Sequence, residues 1–200
     1  MSFDQLKRYT DEAGLIYGTE DSSVFLYSMV KMLKPQRVVE LGTGMGVVTC
    51  WVTKAMNENG TGVIRTFDNE SNWADVQKNY PFYQDISYLD HINNLIMIFK
   101  IHHIEFYVRD IDYGSDQSID FLICNFNTSP DIVEKVLTSY LPFMTDNSTI
   151  IYYNLPNNSQ SKDRAIAALE LSGRKYQVLD MVENKDRHHN NFSVIRLLTQ

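Results

Sequence analysis

Three of the nine glycines in this chain fall within five residues, Gly42, Gly44 and Gly46, directly after the apolar run Arg37-Val-Val-Glu-Leu41. A short apolar run closed by glycine suits a strand buried on both faces better than a helix. Glycines at its end let the backbone turn sharply and approach a ligand with no Cβ in the way. Val47 to Asn57 then reads as a helix ended by Asn59-Gly60. Strand, glycine turn and helix are the opening unit of a parallel α/β sheet, and the rest of the chain must continue it.

The rest of the chain does continue it. Strands are expected at Gly62–Asp68, Ile104–Val108, Ser118–Asn125, Ser148–Tyr153, Tyr176–Val182 and Phe192–Leu198, with helices at Asn72–Tyr80, Asp85–Lys100, Asp131–Leu141 and Lys162–Ser172 between them. Before the first strand, Phe3–Gly14 and Ser22–Lys34 read as helices, the second with Ser22/Ser23 as a cap and Pro35 as its stop. The crossover between the second and third strands is long and contains extra material. Only about nine residues separate the last two strands, too few for a parallel crossover, so the final strand should run antiparallel. The expectation is a three-layer α/β fold with a seven-stranded, mostly parallel sheet, in one domain over residues 1–200: a helical cap at 1–35 and a core at 36–200.

Composition bounds the partners. A net charge of -7 opposes nucleic acid and anionic membranes and favours a small molecule. No stretch is long and apolar enough for a membrane span and the start lacks a signal-peptide core, so a cytoplasmic location is expected. Cys50 and Cys124 fit no metal or redox spacing and read as small buried hydrophobes. A homodimer is left open.

The glycine loop does not match the usual phosphate binders. Counted from Gly42, the third glycine of the dinucleotide pattern is replaced by Val47, which disfavours NAD, and no Gly-Lys-Ser/Thr follows for a triphosphate. Glu40-Leu-Gly-Thr-Gly-Met-Gly46 resembles the first motif of class I S-adenosylmethionine (SAM) dependent methyltransferases, Glu/Asp-x-Gly-x-Gly-x-Gly, with Glu40, Gly42, Gly44 and Gly46 matching position by position. The resemblance implies a Rossmann-like methyltransferase fold, with SAM held by Glu40, Gly42, Thr43, Gly44 and Gly46. It also implies that Asp68, ending the second strand 22 residues beyond Gly46, binds the ribose hydroxyls. A carboxylate suits that task because it accepts two hydrogen bonds from a cis-diol. Asp110 and Ile111, after the third strand, would meet the adenine.

The fourth strand leads into Asn125-Phe-Asn127-Thr128, and its surroundings resemble the small-molecule O-methyltransferases related to catechol O-methyltransferase. Metal-dependent members carry aspartates where this chain has Asn125 and Asn127, and again after the fifth strand where it has Asn154. Hard Mg²⁺ prefers carboxylates, so no catalytic metal is expected. Asn125 and Asn154 are candidates to orient substrate, Asn125 also to touch the cofactor. His189, beside His188 in the last turn, is a candidate general base. His91 falls in the long insertion and has no assigned place. Tyr9, Tyr17, Tyr80, Phe82, Tyr83 and Tyr88 are candidates for an apolar wall against a flat substrate, or simply core.

These residues point to SAM-dependent methyl transfer to a small-molecule acceptor, oxygen rather than nitrogen on the catechol-type resemblance. The rivals are a methyltransferase-fold protein that binds SAM without catalysis and, less well matched, a nicotinamide oxidoreductase.

Overall fold

The structure is a computed structural model that describes residues 1–14, 17–111, 114–115, 117–126, 129–153, 159–181 and 191–199, with backbone only at 159–161. In chain order the elements are α1 (Phe3–Ala13), α2 (Glu20–Leu33), β1 (Arg37–Leu41), α3 (Val47–Asn59), β2 (Val63–Asp68), α4 (Trp73–Asn79), α5 (Tyr88–Phe99), β3 (Ile104–Val108), β4 (Ile119–Cys124), α6 (Pro130–Tyr140), β5 (Met144–Tyr153), α7 (Ser159–Leu171), β6 (Tyr176–Met181) and β7 (Phe192–Leu197). The strand order is β3-β2-β1-β4-β5-β7-β6. β2 pairs β3, β1 pairs β4 and β4 pairs β5, all parallel, while β7 runs antiparallel to both β5 and β6. The antiparallel final strand follows from the short connection before it.

The chain divides into two compact units, Met1–Lys34 with Gly42–Asp110, and Pro35–Leu41 with Ile111–Gln200. In the first, α3 is buried along its length from Val47 to Met56, and α1 and α2 pack on it. Trp51 is fully buried and satisfies its indole N–H by donating to Thr10 Oγ1 at 3.0 Å. α1 opens on a reciprocal cap in which Ser2 Oγ accepts from Gln5 N–H and Gln5 Oε1 accepts from Ser2 N–H. α2 is capped by Thr19, one turn before the expected Ser22/Ser23; Ser22 is the third helical residue and answers the cap from inside. The extra material between β2 and β3 is α4, a 3-10 turn at Pro81–Tyr83 and α5.

In the second unit β4 apart from Asp120 and the last six residues of β5 are buried, α6 and α7 pack together, and Val133, Val136 and Leu137 of α6 and Ala165, Ala168 and Leu169 of α7 are buried. Burying each large side chain of this kind stabilises by about 1.5–3 kcal/mol. β5 begins at Met144, four residues before the expected Ser148. The polar stretch after Met144 masks the strand pattern, and Arg174 holds it by donating to Met144 O, Thr145 O and Asp146 Oδ1. The register with β4 shifts between Ile119 and Phe121, which absorbs the extra residues as a bulge. Cys50 and Cys124 are buried thiols, and burial pushes the Cys124 thiol far up. Among the described residues no helix is long and apolar enough to cross a membrane.

Candidate functional site

The glycine turn that leaves β1 is tied to the end of β2. Gly42 N–H and Thr43 N–H both donate to Phe67 O, at 2.8 and 3.3 Å, and Gly46 N–H donates to Thr43 O at 2.8 Å. Thr43 and Thr66 share a hydroxyl–hydroxyl bond in the buried interior. Gly44 N–H donates to Asp68 Oδ2 at 2.9 Å, and Glu70 N–H donates to Asp68 Oδ1 at 2.8 Å. The loop and the acidic residue, far apart in sequence, are therefore one hydrogen-bonded unit. Each Asp68 oxygen spends one lone pair on the backbone, and a carboxylate accepts about four bonds in all. A vicinal diol can be held by what remains.

The glycines do different work. Gly44 sits at φ 53°, and a Cβ there would meet the Tyr17 ring at 3.4 Å, an ordinary contact. Gly46 sits at φ 78° as the N-cap of α3, and a Cβ there would stand 2.8 Å from Leu95 Cδ1. Gly46 is thus favoured by its left-handed backbone conformation, with the Leu95 methyl of α5 having to shift for any Cβ there, a role the motif alone does not separate from ligand approach.

The carbonyl side of the same turn is held by side chains that sequence reasoning did not assign. Tyr88 OH donates to Gly44 O at 2.9 Å. Tyr9 OH donates to Met45 O, and His91 Nε2 lies 3.1 Å from the same oxygen. That acceptor requires the proton on Nε2. Burial lowers the His91 pKa, partly offset by the bond to Met45, so the ring is neutral at physiological pH. Burial also pushes the Tyr9 hydroxyl well above its ordinary range. The available signal was His91 itself: a polar residue set in the α5 stripe Tyr88, Ile92, Leu95, Phe99, all buried. Of the aromatic residues expected as a wall or core, Tyr9 and Tyr88 are buried, while Tyr9, Phe82 and Tyr83 line a cavity of about 360 Å³ between α1 and α5 that also reaches His91.

The remaining candidates are placed as follows. Arg109 N–H donates to Asp68 O at 2.9 Å, setting the exits of β2 and β3 side by side, and exposed Asp110 accepts from Asn69 Nδ2 at 2.8 Å. In the second unit Glu40 lies fully buried on β1, Asn125 follows β4 with its N–H donating to Leu41 O at 2.8 Å, and Ile111 is half-buried. Glu40 pairs in register with Ile123, so Glu40 and Asn125 stand near the ends of adjacent strands. Asn127, Thr128, Asn154, His188 and His189 lie outside the described residues. Among the described residues no group of three or more His, Cys, Asp or Glu is placed to hold a metal ion.

The family model described as a methyltransferase domain matches residues 39–154. No match appears among curated proteins by sequence. The fold is similar to that of TomG, an O-methyltransferase of tomaymycin synthesis from Streptomyces achromogenes solved with SAM, at 16% identity, 98% of this chain, 89% of that one and a TM-score of 0.66. It is similar to an O-methyltransferase from Bacillus cereus solved with S-adenosylhomocysteine, at 14% identity, 98% and 90% coverage and a TM-score of 0.62. It also resembles a protein described as an rRNA methylase from Clostridium thermocellum, at 16% identity, 87% and 94% coverage and a TM-score of 0.58. At such identities what is shared is the fold.

Proposed function

Because this chain belongs to the methyltransferase-domain family, we propose that it moves a methyl group from SAM to a small-molecule acceptor, at oxygen, without a catalytic metal. The observation that carries the reading is the bond from Gly44 N–H to Asp68, which joins the glycine turn and the strand-end carboxylate into one cradle. SAM supplies an electrophilic methyl on a sulfonium. Asp68 has the acceptor capacity for the ribose hydroxyls, Asp110 and Ile111 stand after β3 for the adenine, and Glu40 supplies a carboxylate at the end of β1 for the cationic part of the ligand.

Methyl transfer is an in-line displacement, so the chain's task is to align a nucleophile with the methyl carbon and, where the acceptor is not ionised, to take its proton. Asn125 and Asn154 are the proposed orienting amides and His189 the proposed base. The amides at 125, 127 and 154 carry no charge, so Mg²⁺ would keep most of its water there. An acceptor at oxygen is supported by the O-methyltransferase neighbours; a small one is supported by the net charge of -7, which opposes polyanions such as rRNA.

The test is transfer of labelled methyl from SAM to phenols, catechols and hydroxy acids, and to an rRNA fragment, with and without EDTA. Labelled small-molecule ether or ester formed equally in EDTA is the expected result. Activity lost in EDTA and restored by Mg²⁺ would overturn the metal-free reading, labelled RNA the small-molecule one, and SAM binding with no transfer to any acceptor would favour a non-catalytic binder.

A further inference from the structure

We propose that Tyr88, backed by Tyr9 and His91, is a positioning residue for the cofactor: these side chains hold the carbonyl edge of the Gly44–Met45 turn so that the turn is preformed before ligand arrives. The inference rests on the reading that this turn carries SAM.

Both backbone polar groups of Gly44 are held, its N–H by Asp68 and its C=O by Tyr88. Met45 O takes two donors, Tyr9 OH and His91 Nε2, which fills both of its lone pairs. All three donors are buried, at 3% exposure for Tyr88 and His91 and 8% for Tyr9, and they come from α1 and α5 rather than from the sheet. The His91 ring is itself fixed, stacked on Trp73 at 5.1 Å and edge-on to Tyr83 at 5.1 Å. A turn with glycines at φ 53° and 78° has many alternatives open to it when unheld. Fixing it during folding removes that ordering cost from the binding step and raises affinity. A purely structural bond would act otherwise: its loss would lower the melting temperature and leave cofactor affinity alone.

Calorimetric titration with S-adenosylhomocysteine, paired with thermal melts of the unliganded protein, separates the two. Tyr88→Phe removes one hydroxyl and keeps the ring, and its Kd should rise about threefold to tenfold, the equivalent of one lost hydrogen bond. His91→Leu should raise Kd similarly, and His91→Gln, which returns an N–H donor near the Nε2 position, should restore it. If His91→Leu fails to fold, Tyr88→Phe and His91→Gln still decide. A wild-type Kd in Tyr88→Phe alongside a lowered melting temperature would overturn the positioning role while leaving the cofactor reading intact. No binding by the wild-type protein would overturn both.

Discussion

The two units of the molecule bear their candidate residues in contrasting ways. In the first, the glycine turn, Asp68, Tyr88, Tyr9 and His91 are joined by hydrogen bonds that hold Gly42 N–H, Gly44 N–H, Gly44 O and Met45 O. In the second, Glu40 and Asn125 stand near the ends of strands whose interior is wholly apolar, from Val38 to Leu41 around Glu40 and from Phe121 to Cys124. In the first unit hydrogen bonds tie the candidates together, and in the second the register of β1 and β4 brings Glu40 and Asn125 to neighbouring strand ends. A network built this way fixes a ligand's geometry in advance, whereas strand-end side chains are free to vary with the acceptor. Cofactor binding should therefore be sensitive to small backbone changes in the first unit, and methyl transfer to side-chain changes at Asn125.

The largest effect should come from Gly44→Val. It strains a residue held in the left-handed region and puts a branched side chain on the turn, so SAM binding should vanish while circular dichroism stays native. Normal SAM affinity in a folded Gly44→Val protein would break the contrast, since the turn would then be packing alone. Gly46→Val should instead attack the fold. Its Cβ would stand 2.8 Å from Leu95 at a positive φ, and overpacking with strain of about 1–3 kcal/mol should lower the melting temperature by several degrees. A native melting temperature would show that α5 gives way freely.

Next in size is Asp68→Ala, expected to weaken SAM about tenfold or more in calorimetry because charge-assisted bonds to the ligand and the hold on Gly44 N–H are lost together. An unchanged Kd would reduce Asp68 to a turn former.

Stability should also depend on pH in a way that singles out the network. His91 has a folded pKa below its ordinary 6.5, so the unfolded chain binds the proton more readily, and stability rises with pH between the two values. It is complete above about 6.5 and is lost as pH falls through the lowered folded value. A second loss follows in stronger acid, where Glu58, held down to about 2 by Lys54 and Tyr27, protonates below its ordinary 4.5. Melting temperatures across this range should show both steps, with the first absent in His91→Gln. Persistence of the first step in that variant would assign it to another group.

The smallest effect on binding belongs to the acceptor half. Asn125→Ala should lower methyl transfer about fivefold, one neutral hydrogen bond, with little change in SAM affinity. A parallel loss of SAM binding would move Asn125 to the cofactor side.

What could be read from the sequence divides along the same line. Strands β1 and β3 were legible to the residue because an apolar run bounded by glycine or by a charged turn has sharp ends, and Gly42, Gly44, Gly46 and Asp68 were legible because a tight turn and a strand-end carboxylate are local signals. The start of β5 was not, because Arg174, distant in sequence, is what holds the polar residues after Met144 in the strand. Nor was the job of Tyr88 and His91, since nothing local says that a residue on α5 will meet a carbonyl made by residues 44 and 45. Tertiary partners decide such cases.

Whether the turn from Gly42 to Gly46 with Asp68 cradles SAM is decided by calorimetric titration of the wild-type protein with SAM and, separately, with NAD. Saturable SAM binding in the micromolar range and no heat from NAD are expected. Tight NAD binding with none to SAM would contradict it.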